Sequence, residues 1–186
     1  MASLPRQKQF PSLGACGIDC GLCPRHYADG KSRCPGCGGE DFESKHPACS
    51  FKTCCVDEHG LEICAQCEDF PCAKYADRKK IKCDSFVTHK RIFINHEAVR
   101  ILGLDDFLAE QNRRVAILHE MLAHYNNGRS KNFYCLAAAL LSTQALDAAL
   151  DSVPALGDLQ QSARELKVEL ESYAAAEGVT LALQKD

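Results

Sequence analysis

The sequence predicts a mainly α-helical fold with an irregular, cysteine-rich, metal-stabilised N-terminal lobe, small α+β overall. Three observations carry this. Thirteen cysteines stand in 186 residues, and twelve of them lie between Cys16 and Cys83. Composition changes near residue 80, from Gly, Pro and Cys with few aliphatic residues to apolar residues at helical spacing. The final apolar residues, Val179, Leu181 and Leu183, alternate as a short strand does. The expected organisation is a metal-binding lobe over 14–83 and a helical lobe with a short C-terminal strand over 89–186.

In the second lobe the periodicity predicts each helix in turn. Asn95 is placed to cap a short helix ending at Gly103. Asp105 or Asp106 caps the next, with Leu108, Val115, Leu118, Leu122 and Tyr125 on its apolar stripe and a stop at Asn126-Asn127-Gly128. A third helix runs from Lys131 to Leu141 and restarts over 142–151. A fourth starts at Asp158, carries Leu159, Ala163, Leu166, Leu170 and Tyr173 on one stripe, and stops at Gly178. No βαβ rhythm and no long repeat is visible.

The first lobe has too little aliphatic surface for an ordinary core, so it needs staples. Disulfides are disfavoured in a reducing compartment, and close CxxC pairs grip one ion better than they join each other. The strongest unit is Cys34-Pro35-Gly36-Cys37-Gly38: two thiolates two residues apart hold one tetrahedral ion, and the glycine after them permits a tight turn that aims N–H groups at sulfur. Its partner is Cys20-Gly21-Leu22-Cys23, giving C-x2-C-x10-C-x2-C and one four-cysteine site. A second cluster holds Cys64, Cys67 and Cys72, to be completed from Cys49, Cys54 or Cys55. Neighbouring side chains diverge, so Cys54 and Cys55 are expected to face different surroundings. Cys16 and Cys83 remain for a third site, and His26, His46 and His59 stand in the right region to replace a sulfur.

Two or more zinc ions are the expected cofactor, with an iron–sulfur cluster as the alternative, because Cys23-Pro24 and three closely spaced thiols also suit iron. Cys16-x3-Cys20-x2-Cys23 has the spacing of radical S-adenosylmethionine enzymes, but no alternating strand–helix pattern follows it. An all-cysteine zinc shell leaves no open position for substrate, so the metal is read as structural.

Other motifs are weaker. His119 and His124 lie five apart, about 140° around an α-helix, and cannot share an ion there. Arg78, Lys79, Lys80 and Lys82 read as a solvated basic run. Arg129 and Lys131, beside the start of a helix, form a possible anion-binding site, and Cys135 reads as a buried structural thiol. The formal charge of −3 would move to about −7 with two zinc ions on eight thiolates, which disfavours nucleic acid. No secretory signal and no membrane span is visible, so a soluble cytoplasmic protein is expected. An unidentified protein or a small anionic ligand is the expected partner.

The run from Cys16 to Pro24, then Cys34-Pro35-Gly36-Cys37, then Cys64-Ala65-Gln66-Cys67-Glu68-Asp69-Phe70-Pro71-Cys72, resembles the cysteine-rich domain of unknown function 3795. The resemblance continues through Tyr125 to Cys135 and covers most of the chain. It implies a prokaryotic, cytoplasmic, zinc-binding protein and carries over no catalytic residue. The preferred reading is a binding or scaffold module with structural zinc. The rival is an iron–sulfur redox protein or a small-molecule enzyme with its anion site near Arg129.

Overall fold

The structure, a computed structural model, describes residues 6–46, 48–78, 83–155 and 157–185. The chain divides into two compact units, one of residues 1–108 with 184–186 and one of residues 109–183. Among the described residues the regular structure is helical and no strand forms. No helix there is long and apolar enough to cross a membrane. The expected α+β character is therefore corrected. After Gly178 (φ 67°), the 179–183 segment lacks a neighbouring strand to pair with, and the Val179 N–H instead bonds back to the Ala174 carbonyl at 2.8 Å. Alternation gives a strand only where a second backbone supplies the ladder.

The first unit holds short helices α1 (Phe42–Lys45), α2 (Ser50–Lys52) and α3 (Lys74–Arg78), the longer α4 (Ile92–Leu102), and the first residues of α5 (Leu104–His124). Two of its apolar clusters are small. One gathers Leu13, Ile63, Ala65, Val99, Phe107 and Leu108; another gathers Ala15, Cys37, Cys55 and Val56. Polar bonds therefore carry much of the organisation. The chain from Lys8 to Pro11 forms a strap: the Lys8 N–H donates to Gly38, Pro11 accepts from the Cys37 N–H at 2.8 Å, and the buried Lys8 ammonium bonds the Glu62 carbonyl. The Glu62 carboxylate returns the link by accepting from the N–H groups of Gln9 and Phe10.

Helix α4 shows why Asn95 is not a cap. It lies inside the helix, fully buried, and donates to the Gly17 carbonyl at 2.9 Å and the Asp19 carboxylate at 2.8 Å. An amide side chain at a helix start is a capping signal, but here the long-range bonds decide its position. Next to it His96 packs over Gly17, which has φ 87° and would bring an added Cβ within 2.7 Å of Nε2. Gly17 and Asp19, between Cys16 and Cys20, are thus both held by α4.

The second unit is an ordinary helical core. Helices α6 (Lys131–Leu140), α7 (Thr143–Ser152) and α8 (Leu159–Ala176) follow the rest of α5. Ser142 and Asp158 cap α7 and α8 through Ala145 and Gln160 N–H groups, as their positions predict. In this unit the buried face of α5 is Gln111, Arg114, Ile117, Leu118 and Met121, with Tyr125 buried just past its end, while Val115 and Leu122 are only half-buried, so the stripe is rotated from the expected one. On α8, Ala163, Leu166 and Leu170 are buried but Leu159, in the first turn, is exposed. Arg114 donates to the Ala138 and Leu141 carbonyls at 2.9 and 2.6 Å, satisfying the end of α6, and pairs with Glu110. That guanidinium is why a charged residue sits at the centre of an apolar face.

Candidate metal centre

Most sulfurs of the first unit fall into two neighbourhoods, while Cys135 is buried in α6 of the second unit. Cys20 and Cys23 flank a 3-10 turn, Cys20–Leu22, and Cys34 and Cys37 flank the Pro35-Gly36 turn. All four line one cavity of about 320 Å³, together with Ile18, Phe42, Val87 and the imidazole of His46. The sequence-predicted partners are thus brought to one space. Cys16, buried, lies near enough to Cys20 to oppose its ionisation, as do Cys37, Cys23 and Cys34. Cys49, at the start of α2, faces Cys37 in the same electrostatic sense.

Local geometry builds the knuckle. Gly36 has φ 88°, a left-handed conformation open to glycine, and a Cβ there would overlap the Pro11 carbonyl oxygen. Backbone N–H groups do point at sulfur: those of Arg25 and His26 at Cys23, and that of Ala15 at Cys37 (3.4 Å). For Cys37 the donor comes from a distant stretch of chain rather than from the knuckle itself. His46 Nε2 stands 3.1 Å from the Cys34 sulfur, and His26 Nδ1 bonds the Cys34 carbonyl.

Electrostatics shows what this set of donors fits. Burial pushes the Cys20 thiol well above the ordinary thiol range, and four neighbouring thiols push it further; burial also raises Cys23 and Cys37. Such a cluster ionises only when a cation sits among the sulfurs. Two buried ammonium groups, Lys8 and Lys52, also favour the Cys37 thiolate. Lys52 is itself held by Glu43 and Asp57 at 2.6 and 3.0 Å. The donor set suits zinc or another thiophilic ion, which would supply charge neutralisation and crosslinking.

The second neighbourhood centres on Cys64, in the 3-10 turn Cys64–Gln66, whose preceding N–H groups are taken up by the Gln66 side chain. Cys55 donates its thiol proton toward Cys64. That hydrogen bond, with one from Tyr75, holds Cys64 down to about 7 although burial opposes it, and it pushes Cys55 up. Tyr75 in turn bonds His96 Nε2 at 2.9 Å inside a cage of Phe51, Phe70 and Phe93 rings. Cys54 faces Lys74, Glu58, Cys64 and Cys72. Cys72 accepts from the Tyr75 N–H just before α3, and Cys67 closes the turn after Cys64 through their backbones. Cys54 and Cys55 share Cys64 as a neighbour; beyond it Cys54 faces Lys74, Glu58 and Cys72, and Cys55 faces Lys8 and Cys37. Cys54, Glu58 and His59 each offer a ligand atom, and these atoms all lie within 4.8 Å of one another.

Lys8, Lys52, Asp19, Tyr75, Asn95, His96 and Glu58 have no signal in the sequence that ties them to the cysteines; each is recruited by tertiary contacts. Lys79, Lys80 and Lys82 lie outside the described residues. His119 and His124 sit on the regular α-helix α5, both exposed. Arg129 and Lys131 lie in the second unit, Arg129 in the turn before α6 and Lys131 at its first position. There the Gly128 N–H bonds Asn126, and the Arg129 N–H and the Ser130 hydroxyl bond Asn127. Two backbone donors of the turn itself are therefore taken. Arg129, exposed, is expected to tolerate alanine with a change of no more than about 0.5 kcal/mol. A Tm for Arg129→Ala well below that of the unsubstituted chain would show a structural role instead.

Residues 12–77 match the model of a family described as "Protein of unknown function (DUF3795)", about a third of the chain. The matched stretch is the cysteine-rich one and stops short of Tyr125 to Cys135. No curated protein and no solved structure matches the chain.

Proposed function

We propose that the chain is a metal-binding scaffold in which zinc, held by Cys20, Cys23, Cys34 and Cys37, organises the cysteine-rich stretch for binding a partner. The observation that carries this is the convergence of those four thiols on one cavity, with the Gly36 turn seated on Pro11 and N–H groups aimed at two of the sulfurs. Cys55, Cys64, Cys67 and Cys72 offer a second thiolate group, with Cys16 and Cys49 beside the first. The residues do the remaining work themselves. Lys8 and Lys52 offset thiolate charge, while Asn95 and Asp19 fix the loop that presents Cys16 and Cys20.

A second reading is favoured by size. A cavity of about 320 Å³ walled by Phe42, Phe86 and Val87 as well as thiols exceeds what a single ion requires, and an iron–sulfur cluster would use such space. Metal analysis of anaerobically purified protein tests both. At least two equivalents of zinc without colour are expected. A brown protein with visible absorption and bound sulfide would establish the cluster instead, and less than one equivalent of zinc plus iron would sink both readings.

A further inference from the structure

We propose that Cys54, Glu58 and His59 form a separate, open divalent-metal site that takes zinc reversibly. It goes beyond the structural-zinc reading and does not depend on it, since none of its donors belongs to the Cys20–Cys37 group.

The argument begins with spacing. Cys54 and Glu58 are i and i+4, but Cys54 and His59 are i and i+5. On an α-helix that spacing places two side chains about 140° apart, and it separates His119 from His124 on α5. Residues Thr53–Glu58, however, form a π-helical turn. The His59 N–H bonds the Cys54 carbonyl at 3.2 Å, the i to i+5 bond that defines such a turn and returns the fifth residue over the first. Gly60, with φ 68°, then ends the segment. The wide turn is what brings sulfur, carboxylate and imidazole within 4.8 Å of one another.

The imidazole is oriented as well as near. His59 Nδ1 stands 4.0 Å from the Cys54 sulfur and donates to the Cys54 carbonyl at 2.7 Å; with the proton on Nδ1, Nε2 keeps its lone pair. Metal-binding histidines are commonly fixed by a bond of this type to a carbonyl. One thiolate, one imidazole and one carboxylate make a borderline donor set suited to zinc, and three protein ligands leave a fourth position for water or a small ligand. Glu58 and His59 are exposed, so the ion can enter and leave. This differs from a buried all-thiolate shell in both accessibility and charge.

The test uses the full chain reconstituted with zinc and then titrated with a chromophoric chelator of moderate affinity. The unsubstituted chain is expected to release one equivalent readily and to retain the rest. Glu58→Gln and His59→Ala should each weaken that equivalent by about tenfold or more while leaving the retained equivalents and the circular dichroism unchanged. Cobalt loaded into the exchangeable position should show sulfur-to-metal charge transfer from one thiolate, absent in Cys54→Ser. Unchanged release from both Glu58→Gln and His59→Ala would overturn the proposal and return Cys54 to the thiolate cluster with Cys64 and Cys72. A chain that shows the exchangeable equivalent but retains none tightly would count against the structural-zinc reading alone.

Discussion

Chelation of the metal from the intact chain is expected to strip amide protection from residues 14–76 by roughly a hundredfold or more while leaving α6, α7 and α8 nearly unchanged. The difference follows from what each unit buries. In the second, Leu118, Met121, Tyr134, Leu141, Leu146, Leu166 and Leu170 are almost wholly removed from water, and helix ends are capped by Ser142, Asp158 and Arg114. Burial on that scale supports a fold without help, at about 1.5–3 kcal/mol per large side chain. In the first, the clusters around Leu13 and Ala15 are a handful of residues each, and thiols form part of the second of them. Structural zinc contributes about 10–16 kcal/mol of apparent binding free energy in small cysteine-rich domains, so removing it removes most of the folding free energy. Cys37→Ser should act in the same direction, since it deletes one donor and the acceptor of the Ala15 N–H. Hydrogen exchange followed peptide by peptide gives the answer. Equal loss of protection in both units would refute the metal's structural role.

Gly36→Ala is expected to destabilise the first unit by about 3 kcal/mol, well beyond an ordinary glycine replacement. A left-handed φ of 88° costs an alanine about 1–2 kcal/mol. The new methyl also meets the Pro11 carbonyl, which accepts the Cys37 N–H, so the strap must move and that bond, worth about 1 kcal/mol, weakens. Gly30 supplies the control within the same unit. Its φ is 62°, but nothing lies within 4 Å of where a Cβ would stand, so Gly30→Ala should show the conformational cost alone. Urea unfolding of the two variants, monitored at metal-to-sulfur absorption with cobalt bound, separates the terms. Equal losses would mean that Pro11 yields without cost and that the knuckle is not seated on the strap.

Much of the helical unit was readable because local signals and tertiary demands agree there. Ser142 and Asp158 stand where a cap is needed, and Gly178 ends α8 by adopting positive φ. The close CxxC pairs were readable for a similar reason: two sulfurs two residues apart have few ways to avoid a common focus. What was hidden depended on distant partners. Asn95 looked like a cap because its bonds to Gly17 and Asp19 cross more than seventy residues. Arg114 on an apolar stripe makes sense only once the carbonyls of α6 are placed against it. The alternation of Val179, Leu181 and Leu183 lacked a pairing strand. The π-helical turn was hidden because wheel arithmetic assumes α-geometry, and the Cys54–His59 spacing is unfavourable under that assumption.

The bonds from α4 bear on where this module can be cut. The family match closes at residue 77, yet the amide that grips the Gly17 carbonyl and the Asp19 carboxylate, and the imidazole that meets the Tyr75 hydroxyl, are supplied from residues 95 and 96. A fragment trimmed to the match would carry the motif without the clamp: a carboxylate that is buried in the whole protein would lose its amide, and the tyrosine donating toward Cys64 would lose its imidazole. The recognisable signature is therefore shorter than the compact unit that holds it, which extends through α4 to the start of α5. The boundary drawn by shared cysteines and the end of the compact unit in this part of the chain are about thirty residues apart.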